Sequence, residues 1–322
     1  MSHIYVYSPS SAQRDKASFR RGIKRLESLG HSVEIDEDAL STHMRFAGDD
    51  KVRLAAIHRA AASGADVALI SRGGYGLNRL LADINYKAVQ KAIDKGLSFV
   101  GYSDFTAFQC AVLAKTGGVT WVGPTVGEDF GVAEQPDDIM EACFDDLVRG
   151  QGEGAGWRLP KPRISANAVE GVSVAGAKQL GLPGTAKTIR DAVLWGGNLA
   201  VLTSLLGTPY FPAVKGGILF LEDVGEHPYR IERMLTQLLH AGVLAQQKAI
   251  VLGQFTQYKA APNDKGYKLQ TAVDWMRSKL KIPVLENLPF GHVPTKVVLP
   301  FGASVELIVE GRDALLYWGH PH

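Results

Sequence analysis

Four segments of the chain carry residues whose types and spacing could do chemistry. In Phe99-Val-Gly-Tyr-Ser-Asp-Phe105 an apolar run enters Gly101-Tyr-Ser103-Asp104 just before a helical pattern. This has the form of the nucleophile elbow G-x-S-x-G, which presents a serine hydroxyl above a sheet. The second glycine of that motif is missing, because Phe105 stands in its place. Free N–H groups at the helix start could hold a developing oxyanion. A serine there is also suited to capping the helix. In Gly217-Ile-Leu-Phe-Leu-Glu222-Asp223-Val-Gly-Glu226 an apolar strand ends in carboxylates. One of them could orient a histidine, as the acid of a Ser-His-acid triad does. Asp223 and Glu226 also suit the N-terminal end of the helix that follows, and Glu222 suits it less. In Leu288-Pro-Phe-Gly-His292-Val-Pro-Thr295 a loop histidine could act as a general base near neutral pH. The fourth segment, Arg72-Gly73-Gly74-Tyr75-Gly76, follows a strand and could cradle an oxyanion or a carboxylate with its N–H groups. A plain tight turn is the alternative. A dinucleotide G-x-G-x-x-G would need glycine where Arg79 stands, so that fingerprint fails.

The elements around these segments decide where such groups would sit. Short apolar runs at Ile4–Tyr7, Ser32–Ile35, Val67–Ile70 and Ser98–Gly101 alternate with helical patterns. The helices are expected at Ala12–Leu29, Asp50–Ala62, Tyr86–Lys95 and Phe105–Lys115. Alternation of this kind predicts a parallel sheet covered on both faces, with ligands at the carboxyl ends of its strands. The run Gly150-Gln-Gly-Glu-Gly-Ala-Gly156 reads as a linker, and Trp157–Ala186 as irregular or short β structure. Beyond it, strands are expected at Ala192–Trp195, Gly217–Leu221 and Ala249–Leu252, with helices at Gly197–Leu206 and Tyr267–Leu280. The clearest helix is Pro228–Ala241, where Ile231, Met234, Leu235, Leu238 and Leu239 make one apolar stripe. Val297–Leu316 reads as β-hairpin material. The expected division is 1–150 for the first domain, 151–185 for a linker and irregular segment, and 186–322 for a second domain.

Composition narrows the class of function. Thirty-five glycines among 322 residues exceed the usual ~7%, and many fall in the turns just named. Thirty-five basic residues against 33 acidic give +2, with no basic run, so nucleic acid is not expected as a partner. Two cysteines, Cys110 and Cys143, cannot make a disulfide framework. No apolar stretch approaches the ~18 residues of a membrane span, and no signal peptide is legible. A cytoplasmic protein is the expectation. No H-E-x-x-H is present, and His320-Pro-His322 is better placed to fray than to bind zinc. Neither a metal nor a cofactor is expected.

Taken together and in order, these segments resemble the serine LD-carboxypeptidases, the muramoyltetrapeptide carboxypeptidases and their relatives. The matching stretches are Arg72-Gly-Gly-Tyr-Gly76, Gly101-Tyr-Ser-Asp-Phe-Thr-Ala107, Leu194-Trp-Gly-Gly-Asn-Leu199, Leu221-Glu-Asp-Val-Gly-Glu-His-Pro-Tyr-Arg230 and Gly291-His292 with Leu299-Pro-Phe-Gly302. The segment from about Pro160 to Thr188 looks longer than is typical of the family. The resemblance implies an α/β fold, with a Rossmann-like parallel-sheet N-terminal domain and a C-terminal β/α domain, commonly as a homodimer. It implies Ser103 as nucleophile, His292 as base and Glu222 as the triad acid. The oxyanion donors would be the N–H groups of Asp104 and Gly74. The substrate implied is a muropeptide tetrapeptide that loses its terminal D-alanine. Candidate contacts to it are Arg72, Tyr75, Asn198, Arg230 and Arg233, with Asn198 equally placed to start a helix. Two other readings stay open: a microcin C self-immunity type of peptidase acting on peptidyl-nucleotides, and a non-catalytic muropeptide-binding protein.

Overall fold

The computed structural model describes residues 1–161 and 187–319. The expectations for Trp157–Ala186 from residue 162 onward, and for His320-Pro-His322, lie outside the described residues. Thirteen strands follow one another along the described chain: β1 (His3–Tyr7), β2 (Ser32–Ile35), β3 (Val67–Ile70), β4 (Ser98–Gly101), β5 (Thr120–Val122), β6 (Gly154–Arg158), β7 (Lys187–Asn198), β8 (Ile218–Val224), β9 (Ala249–Thr256), β10 (Val284–Leu285), β11 (Leu299–Phe301), β12 (Ser304–Glu310) and β13 (Asp313–Tyr317). They form two sheets.

The first sheet has the order β2-β1-β3-β4-β5-β11, parallel except for β11. All four residues of β3 are buried, as a strand covered on both faces requires. The helix Lys16–Ser28 lies on this sheet through Phe19, Ile23 and Leu26. Asp15 starts it by accepting the N–H groups of Ala17 and Ser18. It stops where the Gly30 and His31 N–H groups return to the Glu27 and Leu26 carbonyls. The order 2-1-3-4-5 reverses direction beside β1 and β3, and the ligand crevice of such sheets lies outside the carboxyl ends there.

The second sheet has the order β10-β9-β8-β7-β12-β13-β6, parallel from β10 to β7 and antiparallel beyond. One apolar cluster runs through both sheets and includes Phe99, Phe105, Phe220 and Phe290. The two sheets meet at the helix Thr106–Thr116, where the Asn198 N–H donates to Thr106 Oγ1 at 3.1 Å.

Three local expectations change. Of Val297–Leu316, only Ser304–Glu310 and Asp313–Tyr317 pair as a hairpin, while Leu299–Phe301 joins the first sheet against β5. Leu299 and Phe301 are buried there, and Pro300 is tolerated because β11 is an edge strand. The strand expected at Ala192–Trp195 spans Lys187–Asn198. The glycine-rich run is not one loose linker: Gly150 ends the helix Asp138–Arg149, and Gly154 and Gly156 lie in β6 at the edge of the second sheet. Sheet membership thus crosses the expected division of the chain at β11, and β6 falls inside the expected linker.

Candidate active site

Ser103 follows β4 after one residue, Tyr102, and opens a short turn, Ser103–Phe105, that leads into the helix Thr106–Thr116. Its φ is +64°, a left-handed conformation that costs a residue with a Cβ about 1–3 kcal/mol. A capping serine would bond to the helix N–H groups, but no side chain caps either the turn or the helix after it. The hydroxyl instead lies 3.1 Å from His292 Nε2.

His292 sits on the loop between β10 and β11. Its Nδ1 lies 2.8 Å from Glu222 Oε2. With Nδ1–H donating to that carboxylate, Nε2 is left to accept the Ser103 proton. Glu222 is completely buried, third from the end of β8. Its other oxygen accepts the Asn198 Nδ2–H at 3.1 Å. Burial pushes the imidazole pKa down, but the hydrogen bond and charge of Glu222 outweigh it, and the net direction is upward.

The neighbouring acids serve other ends. Asp223 accepts from Asn198 Nδ2 at 3.1 Å and from the Ala200 N–H at 2.9 Å, so it supports the helix Leu199–Ser204 rather than the helix Pro228–His240. Burial, with the adjacent Glu222 charge, pushes it up to about 6. Glu226 pairs with Arg230 on the first turn of the helix Pro228–His240.

Two turns close on the serine. A Cβ on Gly73 would come within 2.8 Å of Ser103 Cβ and 3.0 Å of its Oγ. Gly74 has a φ of +111°, and a Cβ there would collide with Ser11. Neither the Gly74 nor the Asp104 N–H donates to an acceptor among the described residues. The buried Asp104 carboxylate accepts from Ser10 and from the Leu77 N–H (3.0 Å), tying the two turns together. Gly73→Ala should therefore push the serine off its register and lower activity by roughly 100-fold. Steady-state kinetics, with a thermal melt to check folding, measures this.

A cleft of about 900 Å³ opens beside these groups, and Arg72, Gly74, Tyr102, Ser103, His292 and Lys296 are among its lining residues. Arg72 is held there by Nη1 donating to the Ala12 carbonyl at 3.3 Å and by Nη2 at 3.3 Å from Glu128 Oε1, while its Nε is buried with no partner among the described residues. Asn198 is buried, caps the helix Leu199–Ser204 through Val201 N–H, and holds both carboxylates. Tyr75, Arg230 and Arg233 do not line the cleft. Tyr75 is exposed beside Phe46 and Arg45, and Arg233 lies over the Tyr229 ring. Sequence reasoning overlooked Tyr102, Asp129 and Lys296, which line the cleft behind His292. Asp129 and Lys296 pair across 167 positions of chain, and no local pattern announces them.

Among the described residues no group of three or more metal-ligating side chains is present, and no helix is long and apolar enough to cross a membrane.

Residues 4–123 match the family model for the LD-carboxypeptidase N-terminal domain, and residues 191–307 match that for the LD-carboxypeptidase C-terminal domain. The crystal structure of muramoyltetrapeptide carboxypeptidase from Oxalobacter formigenes superposes with a TM-score of 0.82, at 34% identity over 100% of both chains. The murein tetrapeptide carboxypeptidase of Pseudomonas aeruginosa is 27% identical over 297 residues, covering 90% of this chain and 87% of that one. The microcin C7 self-immunity protein MccF of Escherichia coli is 28% identical over 252 residues, 75% of this chain and 70% of that one.

Proposed function

The chain belongs to the LD-carboxypeptidase family and is a serine-type carboxypeptidase, and from that premise we propose that it releases the terminal D-alanine of muropeptide tetrapeptides through Ser103, His292 and Glu222. The observation that carries this reading is the unbroken chain of contacts from Ser103 Oγ through both imidazole nitrogens to a fully buried carboxylate. Such a chain moves a proton and keeps one tautomer, which is what attack on an amide carbonyl demands. His292 takes the Ser103 proton as Oγ adds to the carbonyl carbon. The oxyanion forms against the free N–H groups of Gly74 and Asp104, where a lost donor typically costs ~10²–10³ in rate. The imidazolium then protonates the leaving D-alanine nitrogen. Water, deprotonated by His292, hydrolyses the ester and frees Ser103.

Arg72 suits the substrate's terminal carboxylate, because it lines the cleft together with Ser103 and His292, its guanidinium held in place by the Ala12 carbonyl and by Glu128. Asn198 acts here through the two carboxylates it holds. A role in cytoplasmic peptidoglycan recycling and a homodimeric state belong to the same proposal and are carried by the family.

A peptidyl-nucleotide substrate would need a free aromatic face for its base. Among the described residues the cleft offers one phenol ring, Tyr102, and that ring is already packed against His292 and Lys296. This favours the muropeptide.

The upward shift of His292 sets the pH dependence. The base must be neutral, so kcat/KM should fall on the acid side with a midpoint above the ~6.5 of free imidazole. A pH profile of D-alanine release checks this. A midpoint below that of free imidazole would show that burial, not Glu222, dominates the titration of His292.

A further inference from the structure

We propose that Lys296 is a positioning residue for His292: paired with Asp129, it fixes the Tyr102 ring against the imidazole and so keeps Nε2 on the Ser103 hydroxyl. This deepens the reading above and rests on it. Lys296 is 1% exposed, and its ammonium pairs with the buried Asp129 in the wall of the cleft. A buried ion pair is a poor device for stability, since packed apolar side chains do as well or better. Its placement therefore calls for another explanation.

Asp129 is itself anchored, accepting the Thr125 N–H at 2.7 Å and Thr125 Oγ1 at 3.3 Å. The Lys296 ammonium lies 4.5 Å above the Tyr102 ring, a cation–π contact that acts strongly when water is excluded. The Tyr102 centroid is 4.9 Å from that of His292, with 58° between the planes, and Phe290 meets the same ring edge-on at 6.2 Å. Two hydrogen bonds, one at each nitrogen, still leave an imidazole free to rock about the line joining them. Contact with the Tyr102 ring opposes that motion. Tyr102 also directly precedes Ser103, so the residue that steadies the base is joined to the nucleophile.

The charges around the imidazole allow position and charge to be separated. Glu222 and Asp223 approach from β8, Glu128 and Asp129 from the turn Val126–Phe130, Arg72 from the end of β3, and Lys296 from the histidine's own loop. Arg72 pairs with Glu128 and Lys296 with Asp129. Losing Lys296 alone would leave the Asp129 charge uncompensated and make the imidazole more basic. Neutralising both partners would not.

The test measures labelling of Ser103 by a fluorophosphonate, in which the Oγ–P bond forms, fluoride leaves and His292 takes the hydroxyl proton. This readout does not depend on the peptide substrate. The double variant K296M/D129N, with an unchanged melting profile, should label roughly 10- to 100-fold more slowly, with its acid midpoint in place. K296M alone should label more slowly and also move that midpoint to higher pH, and K296R should recover most of the lost rate. Y102L, which removes the ring and keeps the ion pair, should reproduce the loss and serves if the double variant fails to fold. Wild-type labelling rates in folded K296M/D129N or Y102L would overturn the proposal. Normal labelling of the wild-type protein without D-alanine release would instead overturn the carboxypeptidase reading and leave this one standing.

Discussion

Ser103→Ala is expected to lower kcat for D-alanine release by about a millionfold, the scale on which removal of a triad nucleophile acts. The expectation follows from geometry. The Ser103 hydroxyl combines a held base, at 3.1 Å, with a strained backbone that presents it. Alanine at φ +64° bears the same strain, so folding should be little changed. The cleft would also remain, and the variant should still bind the tetrapeptide, which separates an enzyme from a muropeptide-binding protein. Single-turnover assays and calorimetric titration of the same preparation make the comparison. Binding retained with release lost is the expected pair of results. Release retained would remove Ser103 from the mechanism.

Glu222→Gln should cost about 10⁴-fold in kcat, the loss seen when a triad acid becomes an amide. Glu222 accepts two hydrogen bonds, from His292 Nδ1 on one oxygen and from Asn198 Nδ2 on the other. Glutamine supplies one oxygen and one NH₂. If the NH₂ faces His292, the ring must accept at Nδ1 and carry its proton on Nε2, which then cannot take the serine proton. If it faces Asn198, two donors confront each other in a buried site. Either arrangement also removes the charge that steadies the imidazolium. Kinetics across pH should show the low rate with the acid limb displaced downward, because the Glu222 contributions that raise the His292 pKa are gone. Loss below tenfold would show that Glu222 does not fix the tautomer.

Much of this site was legible because its parts lie at strand ends. Ser103, Glu222 and Gly74 each follow or end an apolar run, and the rule that ligands bind beyond the carboxyl ends of parallel strands selects those places. What sequence could not settle was competition between local and distant partners. A serine before a helix can cap it or face a base; the positive φ and the absent capping bond decide, and neither is written locally. Asp223 looked placed for the helix that follows it, yet it bonds to the Ala200 N–H, 23 positions earlier. Tyr75 and Arg230 stand inside recognisable motifs, and Arg233 just beyond one, yet none of them lines the cleft, because neighbourhood in sequence does not fix where a side chain points. The pairing of β11 with β5 and of Lys296 with Asp129 spans roughly half the chain, and contacts of that separation have no periodicity to betray them.

The most direct measurement is D-alanine release from a purified muropeptide tetrapeptide by the wild-type protein in the presence of a metal chelator. The serine mechanism predicts one equivalent of D-alanine and one of tripeptide for each peptide consumed, at a rate the chelator does not change. No release, or release that the chelator abolishes, would contradict it.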